Sequence, residues 1–189
     1  MGACAESSMN RPMYITLPEL AERPGPRELA QVASTLAQPV RDEALMDATL
    51  RGADRSAWSF DDQAHADAAL KRITDAVAEA DALIDGFLAR RGYHPLPLML
   101  PPTATGKSVL ASWSRAIARY LLNKSRITGD DDPVVRDYKD ALKMLGLLVD
   151  GKFSLGGADP EAKANNGGTD VRFDSSPLTF GRQQLRAFR

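Results

Sequence analysis

Reactive side chains are scarce in this chain. Its 189 residues hold one cysteine, Cys4, and two histidines, His65 and His94. A lone cysteine excludes a disulfide framework within the chain and any zinc site built on cysteine pairs. The histidines stand apart in sequence without a nucleophile motif, so a multi-histidine metal centre is not expected. His94, between Tyr93 and Pro95, reads as a loop residue. Apolar runs are short, and none reaches the ~18 residues that a membrane helix needs. Neither sign of charge is in excess: 24 Lys and Arg face 25 Asp and Glu, for a formal net charge of -1. Gripping nucleic acid through its phosphates takes a basic face that releases counterions, and the total charge offers none. A near-neutral total still leaves room for local patches.

What is present points to helices. Apolar residues make up 43% and charged residues 26%, the balance of a soluble globular chain. The length suits one domain with a real core. Aromatics are few, at 6%, and alanine, which loses no side-chain entropy in a helix, is abundant. The opening "MGACAESSMNRPMY" carries two decoys. Cys4 sits as in a lipoprotein cleavage site, but no apolar segment precedes it. Gly2 sits as a myristoyl acceptor does, but Glu6 stands where Ser or Thr is needed. Residues 1–12 are expected to be a flexible leader.

Order is expected from Met13. Thr16-Leu17-Pro18-Glu19 is a capping box opening a short helix that Arg23-Pro24-Gly25 breaks. Pro26 starts a second helix through about Leu36, with Leu29, Val32, Ala33 and Leu36 on one face. A third runs from about Asp42 to Leu50 and ends at Gly52. The clearest element follows. Ser59 or Asp61 caps a helix to about Arg91, whose Ala66, Leu70, Ile73, Val77, Ala80, Ile84 and Phe87 form one stripe. At about 30 residues it spans ~45 Å. Gly92 ends it, and Tyr93 to Leu98 form a proline-stiffened connector. A fifth helix, from about Ser108 to Lys124, carries Leu110, Trp113, Ile117, Tyr120 and Leu121. Asp132 and Pro133 open a sixth that reaches about Val149, with Val134, Tyr138, Leu142, Leu145 and Leu148 or Val149 inward. No strand and no internal repeat is expected. The fold class is therefore all-α: a small helical bundle around one long helix, occupying residues 13–153. Residues 154–189, with Gly-Gly twice, Asn-Asn and scattered prolines, read as an extended tail that orders on a partner.

Three patterns invite a chemical reading. "PPTATGKS" (101–108) ends like a phosphate-binding loop, but the pattern requires glycine where Pro101 stands, and a proline has no amide to donate. Such a loop also follows a buried strand. The expectation is a helix cap from Thr105 or Ser108, with Lys107 a surface or interface charge. Asp130-Asp131-Asp132 lacks the alternating ligands, central glycine and distal glutamate of a calcium loop, and helix capping accounts for it better. Asp81 and Asp85 lie one turn apart beside the long helix's apolar stripe. Paired carboxylates do acid–base work only where their surroundings separate their pKa values. Ion pairing with Arg115 or Arg119 of the next helix, or with a neighbouring subunit, is the expectation for them. No catalytic, metal or nucleotide constellation emerges, and no cofactor is expected. In the tail, Leu178, Phe180, Leu185 and Phe188 alternate with Arg182, Arg186 and Arg189, residue types enriched at interfaces.

The order of segments resembles a known family. "MYITLPELAER", "AVAEADALIDGFLARRGYHPLPL", "SRAIARYLL" and "VVRDYKDALKMLGLLVDGKFSLG" look like the head–tail connector proteins of Mu-like phages, formerly a phage family of unknown function. The match covers about Met13 to Gly156, and the "ADALIDGFL…YHPLPL" block is its most specific part. The leader looks like an extension, and the tail after Gly157 is longer than the family pattern. The resemblance implies a virion structural protein, not an enzyme. It implies a ring, usually a dodecamer, beneath the portal protein at the capsid–tail junction, completing the DNA-filled head and docking a stopper or tail-completion protein. Packaged DNA would pass through the lumen without sequence-specific binding. By analogy with related adaptors, Phe180, Arg182, Gln183, Gln184, Leu185, Arg186, Phe188 and Arg189 are assigned to portal contact. Asp81, Asp85, Lys107, Arg115 and Arg119 are assigned to contacts between subunits or with the next neck protein. The alternative from another class is a helical assembly chaperone or regulator of the host cytoplasm, absent from finished particles.

Overall fold

In the computed structural model, residues 14–94, 96, 104–156 and 160 are described. The expected leader and the portal-contact residues Phe180 to Arg189 lie outside them, as does all of the expected tail save 154–156 and 160. Six helices follow in order among the described residues: α1 (Leu17–Glu22), α2 (Pro26–Ala33), α3 (Glu43–Arg51), α4 (Phe60–Arg91), α5 (Ala104–Asn123) and α6 (Pro133–Val149). The protein is all-α; its described residues contain no strand, only an isolated bridge between Thr35 and Gln38.

The helix ends follow from their caps. Thr16 and Glu19 complete the capping box: the Thr16 hydroxyl accepts from the Glu19 amide, and the Glu19 carboxylate accepts from the Thr16 amide at 2.7 Å. Ser59 caps α4 through the Asp62 amide, and Asp132 caps α6 through the Val134 amide at 2.8 Å. Asp42 caps α3 and also accepts from the Trp58 indole at 2.6 Å. That indole bond, with the Ala44 amide, holds the exposed Asp42 carboxyl below its ordinary pKa. Gly52 and Gly92 end α3 and α4 at φ 66° and 93°, left-handed positions that a side chain would strain.

α4 is the axis of the body. Its 32 residues span about 48 Å, and α2, α3, α5 and α6 all pack on it. Ala66, Ala69, Ile73, Val77, Ala80, Ile84 and Leu88 are buried along one stripe. Alanines in that stripe let α5 approach closely, and Leu110, Ile117, Leu145 and Leu148 fill the space behind it. α1 closes one end against α3 and α2. Trp113 meets Phe153 at a tilt of 57° with ring centroids 5.8 Å apart, and Leu155 is 3% exposed, so the core continues past α6.

The structure departs from the expected pattern in three places. Leu36 is fully exposed, not buried: α2 stops at Ala33, where the Ser34 hydroxyl turns back to the Ala30 carbonyl and accepts from the Val40 amide. Competing side-chain bonds of this kind draw serine out of helices. α5 begins at Ala104, so Thr105 and Ser108 lie within the helix and neither is its cap. On α6 the inward valine is Val135, with Val134 half-buried.

Candidate functional site

The first polar centre lies where Tyr14, just ahead of α1, meets α4, with Ser114 of α5 alongside. Asp81 comes from the middle of the α4 stripe and is 2% exposed. Its carboxylate accepts from the Tyr14 amide at 3.1 Å and from the Ser114 hydroxyl of α5 at 2.7 Å. One turn on, Asp85 accepts from the Tyr14 hydroxyl. Ser114 is wholly buried, so Asp81 is the acceptor that satisfies a hydroxyl in the interior. The expectation for both carboxylates is ion pairing with α5 arginines or a neighbouring subunit; the bonds placed here are of another kind. They bind Tyr14 and Ser114 of their own chain. Asp81 is too deeply enclosed to reach another subunit.

Arg119 also differs from expectation. It pairs with Glu28 of α2, through Nε at 2.7 Å and Nη2 at 3.1 Å, and with Asp137 of α6 at 3.2 Å. The two-pronged bond to Glu28 ties α2 to α5 with a geometry suited to guanidinium and carboxylate. Beside this clasp, Tyr120 and Tyr138 stack with centroids 4.0 Å apart and an interplanar angle of 5°.

The second centre is a cleft on the outer side of α5. It has two adjoining parts that share Arg23, Ser112 and Arg115. One part, of about 330 Å³, lies between α5 and α6, with Trp113, Ala116, Ala141 and Met144 as its apolar floor and Asp137 and Asp140 at its rim. The other, of about 410 Å³, lies between α1 and α5 and is lined by Glu19, Arg23, Lys107, Ser108, Ala111, Ser112 and Arg115. Three cations thus face one carboxylate there. Glu19 is committed to the capping box. Burial raises its pKa, but the bonds from Thr16 and the charges of Lys107 and Arg115 outweigh this and leave it below the ordinary value. Arg115 is held below its ordinary pKa by burial and then by the charge of Arg23. Its Nε is buried with no hydrogen-bond partner among the described residues. Neither Arg23 nor Lys107 forms an ion pair among the described residues. Such a cleft can hold an oxyanion, a carboxylate or a phosphate.

Of the residues singled out in the sequence, the structure brings Lys107 and Arg115 together on one cleft and sends Asp81, Asp85 and Arg119 to bonds within the body. Arg23, Tyr14, Ser114, Glu28 and Asp137 were not singled out. Arg23 looked only like part of a helix break, and the others carry no motif.

The motif Gly106-Lys107-Ser108 occupies the first turns of α5, and residues 97–103 before it lie outside the described residues. Among the described residues no three His, Cys, Asp or Glu side chains gather as a metal site. No helix among them is long and apolar enough to cross a membrane.

Comparison with known proteins bears on what this body is for. Residues 14–173 match the family described as "Bacteriophage Mu, Gp36". The chain is 29% identical over 150 residues to "Mu-like prophage FluMu protein gp36" of Haemophilus influenzae (strain ATCC 51907 / DSM 11121 / KW20 / Rd), covering 78% of this chain and 95% of that protein. It is 33% identical over 109 residues to "Gene product J" of Escherichia phage Mu, covering 58% of this chain and 70% of that protein. With a match across most of its helical body, the chain belongs to the Bacteriophage Mu, Gp36 family.

Proposed function

We propose that this protein is a head–tail connector of a Mu-like phage. It acts in the virion as a ring subunit beneath the portal, completing the filled head and docking a stopper or tail-completion protein. Membership of a Mu phage family supports the phage setting. The observation that carries the connector reading is a helical body with two unlike charged surfaces. A basic cleft lies along α5, and an acidic turn, Asp130 to Asp132, lies at its far end. A subunit that closes a ring needs two different surfaces that meet head to tail. Catalysis needs positioned reactive groups, and the buried carboxylate of Asp81 is instead taken up by bonds that hold helices together. In this reading the arginine–aromatic segment Phe180 to Arg189 engages the portal, and packaged DNA passes through the lumen.

Mass spectrometry and labelled electron microscopy of purified virions test the reading. The protein is expected in finished particles, at the junction of capsid and tail. Its absence from them would favour an assembly chaperone, and density elsewhere on the particle would sink the connector assignment.

A further inference from the structure

The three cations of the α1–α5 cleft lie within a chain whose net charge is near zero, and among the described residues Glu19 is the one carboxylate that lines that part of the cleft with them. Among the described residues Arg115 Nε is buried without a hydrogen-bond partner, and Arg23 and Lys107 line the same cleft exposed. The facing carboxylate, Glu19, is held by the amide and hydroxyl of Thr16. Among the described residues, cations thus outnumber carboxylates along this part of the cleft.

Asp130 and Asp131 are exposed in the α5–α6 turn. Asp130 touches Lys139 at 3.3 Å, but with side chains 90% and 56% exposed that pair contributes little. Asp132 is engaged in capping α6. Lys124 and Arg126 lie at the foot of the turn and form no ion pair with its tip among the described residues. Asp130 and Asp131 do not line the cleft of their own chain. From Lys107 to the end of α5 the helix runs about 24 Å, with the turn beyond.

Resting on the connector reading above, we propose that Asp130 and Asp131 of one subunit fill the Arg23–Lys107–Arg115 cleft of the next. The contact is heterologous, the kind that closes rings. A phosphate of DNA is the competing anion. The balance of charge over the whole chain favours a carboxylate, because holding a polyanion takes many unpaired cations and the chain has none in excess.

Charge reversal separates the outcomes. Arg23 and Lys107 are exposed, so Arg23→Glu with Lys107→Glu leaves the core intact; Asp130→Lys with Asp131→Lys reverses the turn. Circular dichroism confirms folding, and sedimentation of the full chain at about 100 mM salt reads association. Each reversed protein alone is expected to associate at least about tenfold more weakly than the unaltered chain. An equimolar mixture of the two is expected to recover, because each turn then meets a cleft of opposite sign. Unaltered protein that stays monomeric, reversals without effect, or a mixture that fails to recover would each overturn the proposal. So would a cleft reversal that abolishes binding of a short duplex DNA and leaves self-association unchanged. None of these results moves the protein within the virion, so failure here and failure of the connector reading are distinguishable.

Discussion

Replacing Asp81 with alanine should destabilise the monomeric body, not an interface. The carboxylate is 2% exposed and accepts from the Tyr14 amide at 3.1 Å and the Ser114 hydroxyl at 2.7 Å. A hydrogen bond to a charged group is worth about 1.5–3 kcal/mol. Two of them are not lost in full, because the truncation also removes a buried charge that was costly to desolvate. A net loss of about 3 kcal/mol is therefore expected. For a chain of this size that lowers Tm by roughly 6–12 °C. Urea unfolding followed by far-ultraviolet circular dichroism measures it, with the slope against urea unchanged if the unfolded state is unaffected. Protein concentration is the discriminating variable. Intramolecular bonds give the same loss at all concentrations, whereas a contact between subunits gives a loss that grows with concentration. Ser114→Ala should cost about 1–2 kcal/mol, and the double variant should lose less than the sum, with a coupling of about 1 kcal/mol or more. An Asp81→Ala protein within about 0.5 kcal/mol of the original, or additive single losses, would refute the reasoning.

Two further outcomes follow from other parts of the molecule. Glu19 has a folded pKa below its ordinary value, so its stabilisation is fully present above about pH 4.3 and is lost as pH falls through the folded pKa. The stability difference between the original chain and Glu19→Gln should therefore shrink on acidification; a difference that is flat or grows would contradict the cap geometry. Deleting residues 178–189, which follow the α6 segment in sequence, should leave the unfolding midpoint of the body unchanged and weaken capture by purified portal protein. A body that melts on this deletion would show that the tail is part of the core.

Helices were legible in the sequence because their signals are local. Thr16, Ser59 and Asp132 cap, Gly52 and Gly92 terminate, and the α4 stripe from Ala66 to Ile84 declares its buried face. The errors lie where a local signal competed with a nonlocal one. Leu36 fitted the periodicity of α2, but Ser34 ended the helix with side-chain bonds to Ala30 and Val40. Asp81 and Asp85 fitted ion pairs with α5 by charge alone. The crossing of α4 and α5 instead sets Ser114 against Asp81, and Arg119 points away to Glu28. Partner choice depends on where two helix surfaces meet, and single-chain periodicity does not contain the angle at which they cross. The basic cleft was half legible for the same reason: Lys107 and Arg115 share α5, but Arg23 arrives from the end of α1.

Two groups of charged residues in this protein should respond differently to salt. Asp81 is enclosed, and its bonds to Tyr14 and Ser114 are little screened by ions. Arg23, Lys107, Asp130 and Asp131 are exposed, and at physiological ionic strength charges separated by more than about 8 Å scarcely feel one another. Within a subunit the acidic turn and Lys107 are therefore electrically independent, being separated by about 24 Å of helix. A neutral body can then carry a strong attraction that acts only when two copies meet, without straining either one alone. Salt should act selectively on such a design. Raising it should weaken the proposed contact between copies while the helical body keeps its stability, because the charges that hold each are in different solvents.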